Sequence, residues 1–267
     1  MIRSGRAKTE VEADPAATSK RQQAARERAT RERLERIEKA RQTSASIDKE
    51  RSKRAEHDKK SVDGMKEARA SSSDAEARRM RFADGAVRPG YNVQVAVTST
   101  EGFITAVRAT DRRQDSGRVA PMLEESERRT GRRVARVLAD TGYAHADDIT
   151  ALGARAEDPV DAYIWPIRDR EDVKLATLAS RKRERERENE TMKAWRKRMA
   201  SDEGALVMKR RGRIERINAH LKNRGFATML VRSLVKVQAV ALLHALAHNF
   251  LTAVRLTSLR TQGTAVA

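Results

Sequence analysis

VRPGYNVQVAVTSTEGFITAVRAT (residues 87–110) decides the fold class. Tyr91, Val93, Val95 and Val97 alternate with Asn92, Gln94, Ala96 and Thr98, the period of a strand with one buried face. Thr100-Glu101-Gly102 supplies a turn and Phe103 starts a second strand, so the stretch predicts a β-hairpin. Downstream, Val119, Met122, Leu123 and Ser126 share a face of a helix over about 117–129, ended by Gly131. VARVLAD (134–140) then reads as a strand, 147–154 as a helix, and VDAYIWP (160–166) as a strand stopped by Pro166. This order predicts a mixed α/β domain with its sheet near the centre.

Outward from that core the chain becomes helical or charged. The last third predicts helices over 191–200, 204–223 and 228–256, the middle break marked by Asn223-Arg224-Gly225. Asp169 to Arg187, including RKRERERE (181–188), is too polar for a core and reads as an inserted helix or loop. Residues 1–70 hold 20 basic and 13 acidic side chains with almost no aliphatic bulk. Within them, Glu27/Arg31, Glu32/Arg36 and Glu35/Lys39 are i,i+4 pairs of the favourable polarity. The expectation is a long solvated helix fraying into a disordered Lys/Ser-rich linker around 42–73. The domain reading is a charged segment 1–73, a catalytic-type domain 74–256 with a charged insertion at about 167–190, and a tail 257–267.

Composition narrows the function. The 267 residues carry a net charge of +19, 36% charged and 3% aromatic side chains, and no cysteine. Disulfide-stapled folds, thiolate zinc sites and cysteine nucleophiles are excluded. The charge points to polyanions, nucleic acid first. Met1 to Ala17 has no apolar run of signal-peptide type. Val235 to Leu251, interrupted by Lys236, Gln238, His244, His248 and Asn249, reads as a buried helix and not as a membrane anchor. His244 and His248 have the spacing of a two-His metal site but lack the intervening Glu and a third ligand, so they read as ordinary helix positions.

Two acids stand out. Asp140 follows the apolar run Val137-Leu138-Ala139, at the carboxyl end of a predicted strand, where open α/β sheets place ligands. It either caps the following turn or binds a metal. Glu215 is the single acid among 11 basic residues over 204–267, where average composition gives about nine acids. It is either a structural ion pair with its arginine neighbours or a Mg²⁺ ligand beside phosphate-binding cations. Arg211, Glu215 and Lys222, at i, i+4 and i+11, lie near one helix face, with Asn218 on the same stripe.

GYNVQVAV (90–97), LADTGYA (138–144), WRKRMASDE (195–203) and RIERINAHLKNRGF with LVRSLVKVQAVALLHALAHNF (213–250) resemble the DDE-type transposases of bacterial insertion sequences. That resemblance implies a ribonuclease H-like fold: a mixed sheet flanked by helices, here with a long charged amino-terminal helix and a helical carboxyl-terminal third. It places the family's second catalytic acid on Asp140 and its third on Glu215. Arg211, Glu215 and Lys222 match the family signature Tyr-x2-Arg-x3-Glu-x6-Lys, but Met208 replaces the Tyr. The family's first acid, on an upstream strand in an apolar-Asp-Gly context, has no convincing counterpart. Asp63 and Asp84 precede glycine but sit in no apolar strand. The expectation is a chain truncated at its amino terminus, without that acid and without the DNA-binding region ahead of it.

The chemistry implied is phosphodiester cleavage and strand transfer with Mg²⁺ (or Mn²⁺) held by Asp140 and Glu215. Arg211, Lys222, Arg213 and Arg224 would bind DNA phosphate. The partners implied are double-stranded insertion-sequence ends and a second copy in a homodimer, with no membrane and no small-molecule cofactor, in the bacterial cytoplasm at the nucleoid. The reading from another class is a basic nucleic-acid-binding protein without chemistry, in which both acids are structural.

Overall fold

In the computed structural model, which describes residues 20–57, 67–82, 84–155, 158–166, 182–183 and 185–264, the expected hairpin is present as β3 (Asn92–Val97) and β4 (Ile104–Thr110). Thr98 closes its turn: the backbone N–H donates to Phe103 O at 2.8 Å and the hydroxyl accepts from the Gly102 and Phe103 amides, both at 3.0 Å. The chain divides into two compact units, Met1–Asn92 with Leu230–Val237, and Val93–Met229 with Gln238–Ala267.

The second unit follows the predicted order. Helix α2 (Val119–Thr130) buries Val119, Met122, Leu123 and Ser126, the four positions of the predicted face. It ends at Gly131, whose φ of 64° is left-handed and whose N–H satisfies Glu127 O at 2.8 Å, a closure that other residues adopt only with strain. Strand β5 (Arg136–Ala139) leads through α3 (Ala146–Gly153) to β6 (Asp161–Ile164), and the two strands pair in parallel with Ala139 opposite Ile164. Helices α4 (Glu190–Ala200) and α5 (Asp202–Met208) pack Met192, Trp195, Met199 and Met208 with Leu152, Tyr163 and Ile164 into one apolar core. Ile104, Val107, Ile217, Leu221, Ala241 and Ala245 form a second core, between β4, α6 (Gly212–Leu221) and α7 (Leu234–Thr264).

The strands differ from the expectation of one central sheet. Among the described residues β3 pairs with β4 and β5 with β6, as separate two-stranded sheets. The outer edge of β4 is satisfied by amide side chains of α7. Gln238 donates to Val107 O (3.0 Å) and accepts from Ala109 N (2.7 Å), and Asn249 does the same with Ile104 (2.8 and 2.7 Å). The two residues are three helical turns apart, so one face of α7 stands in for a neighbouring strand.

Helix α7 is also less buried than expected. Val237, Ala241, Ala245 and His248 are buried, but Leu243, Leu246, Phe250 and Val254 are exposed along another face. Among the described residues, Leu234–Leu259 is the one stretch long and apolar enough to cross a membrane.

The first unit corrects the reading of the amino-terminal segment. Helix α1 runs over Lys20–His57, so residues 42–57 are helical and not a disordered linker. Side-chain bonds hold this stretch: Ser44 donates to Ala68 O (2.6 Å) and Asp48 accepts from Ala68 N (2.8 Å), while Ala40 and Ala55 are buried. An antiparallel hairpin absent from the sequence reading, β1 (Arg78–Arg81) and β2 (Val87–Gly90), turns at Asp84-Gly85. Asp74 and Glu76 accept from the backbone N–H groups of Ser233 (3.1 Å) and Leu234 (2.7 Å), satisfying donors at the start of α7. Residues 1–19, 58–66, 83, 156–157, 167–181, 184 and 265–267, and with them Asp63, most of the charged insertion and the end of the tail, lie outside the described residues.

Candidate active site

Strand β5 ends at Ala139; Asp140 is still extended (φ −74°, ψ 163°), and the chain then tightens into a 3₁₀ turn, Thr141–Tyr143. The Asp140 side chain makes no capping bond to that turn, which removes the cap as its role. Its carboxylate instead accepts from Arg211 Nη1. Arg211 closes a second 3₁₀ turn, Lys209–Arg211, and its Nη2 lies 2.8 Å from Glu215 on α6. One guanidinium therefore joins two carboxylates 75 residues apart in the sequence.

The exposure of this trio decides how to read it. The side chains of Asp140 and Glu215 are 57% and 61% exposed and that of Arg211 is 33% exposed. Ion pairs this wet contribute roughly 0–1 kcal/mol each, so stability does not explain the convergence. All three residues line a cleft of about 900 Å³ with β3, α2 and β5 as its walls.

A partly buried polar relay holds the turn after Asp140. Tyr143 donates its hydroxyl to Gln94 Oε1, and Gln94 Nε2 donates to Asp115 Oδ1 at 2.8 Å. Burial, reinforced by the Asp115 charge, pushes the Tyr143 hydroxyl well above its ordinary range, so it stays a donor. A Cβ on Gly142 would meet Asp115 Oδ2 at 3.1 Å, so glycine there lets the Asp115 carboxylate approach.

The model of the transposase DDE domain family matches residues 43–250, more than three quarters of the chain. The chain belongs to the transposase DDE domain family. Comparison with curated proteins and with solved structures gives no match.

Other predicted residues of this transposase domain divide by position. Asn218 lines the cleft, but Lys222 does not. Lys222 lies a further turn along the helix, where α6 gives way to the wide turn Lys222–Phe226 and Gly225 takes φ 93°. Arg213 donates to Thr100 O and lines both the main cleft and a second one of about 200 Å³ shared with Arg216, Arg224 and Arg255. Met208, at the position of the family Tyr, is buried in the core, where a thioether packs without needing a polar partner. His248 bonds Gly102 O through Nε2 (3.0 Å) and His244 packs on Phe226 (4.9 Å between ring centroids). Asp84 serves its own hairpin, accepting from Ala86 N (3.0 Å) and Arg88 (2.7 Å).

The sequence reading missed Gln94, Asp115 and Tyr143. Gln94 is 3% exposed although the strand alternation assigned it to the polar face. The signal available was a polar amide between two valines of a strand.

Among the described residues no group of three His, Asp or Glu side chains converges as a metal site. Asp140 and Glu215 are two hard oxygen donors in an open, cation-lined cleft, a set that suits one Mg²⁺ completed by water and phosphate but not a closed protein cage.

Proposed function

We propose that this domain binds double-stranded DNA at insertion-sequence ends and contributes Asp140 and Glu215 to metal-dependent phosphodiester cleavage and strand transfer. The observation that carries this reading is the convergence of both acids on Arg211 at the mouth of a basic cleft. Bound Mg²⁺ would supply charge neutralisation and a more acidic water. Asp140 and Glu215 would hold it, and the Arg211 guanidinium, released from the acids, would bind a non-bridging phosphate oxygen bidentately. Arg213, Arg224 and Lys222 would position the DNA backbone without reading its sequence. The ribonuclease H-like fold and a third carboxylate, which the described residues do not supply, belong to the same proposal. The isolated chain would therefore cut DNA poorly.

The setting proposed is the bacterial cytoplasm. A homodimer would use the exposed stripe of Leu243, Leu246, Phe250 and Val254, since no charge interrupts α7 between Lys236 and Arg255.

DNA binding against salt tests the reading. Replacing Arg213, Arg224 or Lys222 by Ala should weaken binding of all duplexes alike and reduce the slope of log K against log[salt] by about one per contact. Unchanged slopes in all three variants would refute the assignment. The non-catalytic alternative predicts the same slopes but no divalent-ion dependence on Asp140 or Glu215.

A further inference from the structure

We infer that the second cleft, of about 200 Å³, is a binding site for a phosphomonoester, separate from the site of Asp140 and Glu215. The inference rests on the proposed function only for one source of that phosphate, the 5′ end of a DNA strand. Helix α6 carries residues of both clefts. Glu215 and Asn218 line the main one, Arg216 and His220 line the second, and Arg213 reaches both. On an α-helix the positions of Arg213, Arg216 and His220 point about half a turn away from those of Glu215 and Asn218. A group held in the second cleft is therefore not the phosphate beside the two acids.

Charge sets the class of ligand. Arg213, Arg216, Arg224 and Arg255 line a space in which Glu101 is the one acid among the described residues, and that carboxylate already accepts from the Thr100 hydroxyl. Arg216, Arg224 and Arg255 have no ion-pair partner among the described residues. Four guanidiniums facing one acid favour a dianion, and their planar forks match phosphate oxygens two at a time. The volume lies below the roughly 300 Å³ at which sites for drug-sized ligands begin, so the cleft takes a phosphate and not a whole nucleotide.

His248 selects a monoester over the diester of a DNA backbone. It lines the cleft, is 6% exposed, and its Nε2 carries the proton because it bonds a carbonyl, Gly102 O. Nδ1 of the neutral ring is then an acceptor, and it has no partner among the described residues. A buried acceptor left unmatched is costly. A phosphomonoester, with a second pKa of about 6, can keep one proton on oxygen and donate it. A diester and a sulfate have none to give.

The test is calorimetric titration of the full chain with inorganic phosphate, without divalent ions. Phosphate should bind, and Arg216→Gln and Arg255→Gln should each weaken it by at least about tenfold, the loss of one charge-assisted contact. Lys236→Gln, which removes an exposed cation outside the cleft, should leave it unchanged. Sulfate and dimethyl phosphate should bind more weakly than phosphate, and phosphate alone should shift the His248 Nδ1 resonance in ¹⁵N spectra. No phosphate binding, equal loss in Lys236→Gln, or equal binding of sulfate would overturn the site. A duplex with 5′-phosphate ends, set against the same duplex with 5′-hydroxyl ends, separates the sources. Tighter binding of the phosphorylated duplex, lost in Arg255→Gln, makes the ligand a strand end, and equal binding of the two makes it free phosphate. Phosphate binding without any Mn²⁺ affinity at Asp140 and Glu215 would leave this site standing and remove the catalytic reading.

Discussion

Asp140 and Glu215, one at the end of a strand and the other on a helix of the carboxyl-terminal third, are held by opposite arms of the Arg211 guanidinium. Arg211 thus supplies the positive charge between the two carboxylates, and under the proposed function it is the charge a metal ion would displace. Replacing Arg211 by Ala should strengthen divalent-ion binding and weaken DNA binding. Urea melts should move by no more than about 2 kcal/mol, about 1 kcal/mol at most for each of the two solvent-exposed pairs. Parallel loss of both activities would show that Arg211 positions the acids instead of competing for them.

Glu127 anchors α2 to the loop before β5. It accepts from Arg155 at 2.8 Å and from Val134 N at 2.9 Å, with its side chain only 12% exposed. These bonds, the Arg155 bond foremost, hold its carboxyl below the usual range. Its contribution is complete above the unfolded pKa of about 4.3 and is lost as pH falls through the lower folded value. Glu127→Gln should cost about 1–2 kcal/mol at pH 7 in urea unfolding. The gap to wild type should close as pH falls below about 4. A gap constant to pH 3 would contradict the assignment.

Gly204 marks the corner between α4 and α5. A Cβ there would strike the backbone carbonyl of Arg198, which has no side-chain freedom to yield. Gly204→Ala should cost about 1–3 kcal/mol, checked by thermal unfolding, despite the better helix propensity of Ala.

Asn249 supplies β4 with a donor and an acceptor. Asn249→Leu leaves both Ile104 backbone groups unmatched at a cost of about 1–3 kcal/mol each if no water replaces the amide. Hydrogen exchange at Ile104 should accelerate in this variant while Leu138 is unaffected. Equal acceleration at both would indicate global loss of structure.

Much of this architecture was legible because it is periodic. The α2 face, the β3/β4 hairpin, β5, β6 and the break at Gly225 each follow from local alternation or helical spacing. What escaped the sequence depends on distant partners. Helix α1 persists to His57 because Ser44 and Asp48 bond Ala68, a contact that charge composition does not announce. The β1/β2 hairpin was missed although Asp84-Gly85 is a turn signal, because its arginine-rich strands lack alternation. At the site, Asp140 and Glu215 stood out as anomalies of position and composition. Their bridging by Arg211, the failure of Lys222 to reach the cleft and the Gln94 relay depend on how distant segments are brought together.

Mn²⁺ titration followed by electron paramagnetic resonance tests divalent-ion binding by Asp140 and Glu215 without requiring cleavage. Wild type should bind one Mn²⁺ weakly, Mg²⁺ should compete for it, and Asp140→Asn and Glu215→Gln should each reduce the affinity by at least about tenfold, one lost carboxylate ligand being worth about 1.4 kcal/mol or more. Identical titrations for wild type and both variants would contradict the account and leave the two acids as a structural ion-pair network.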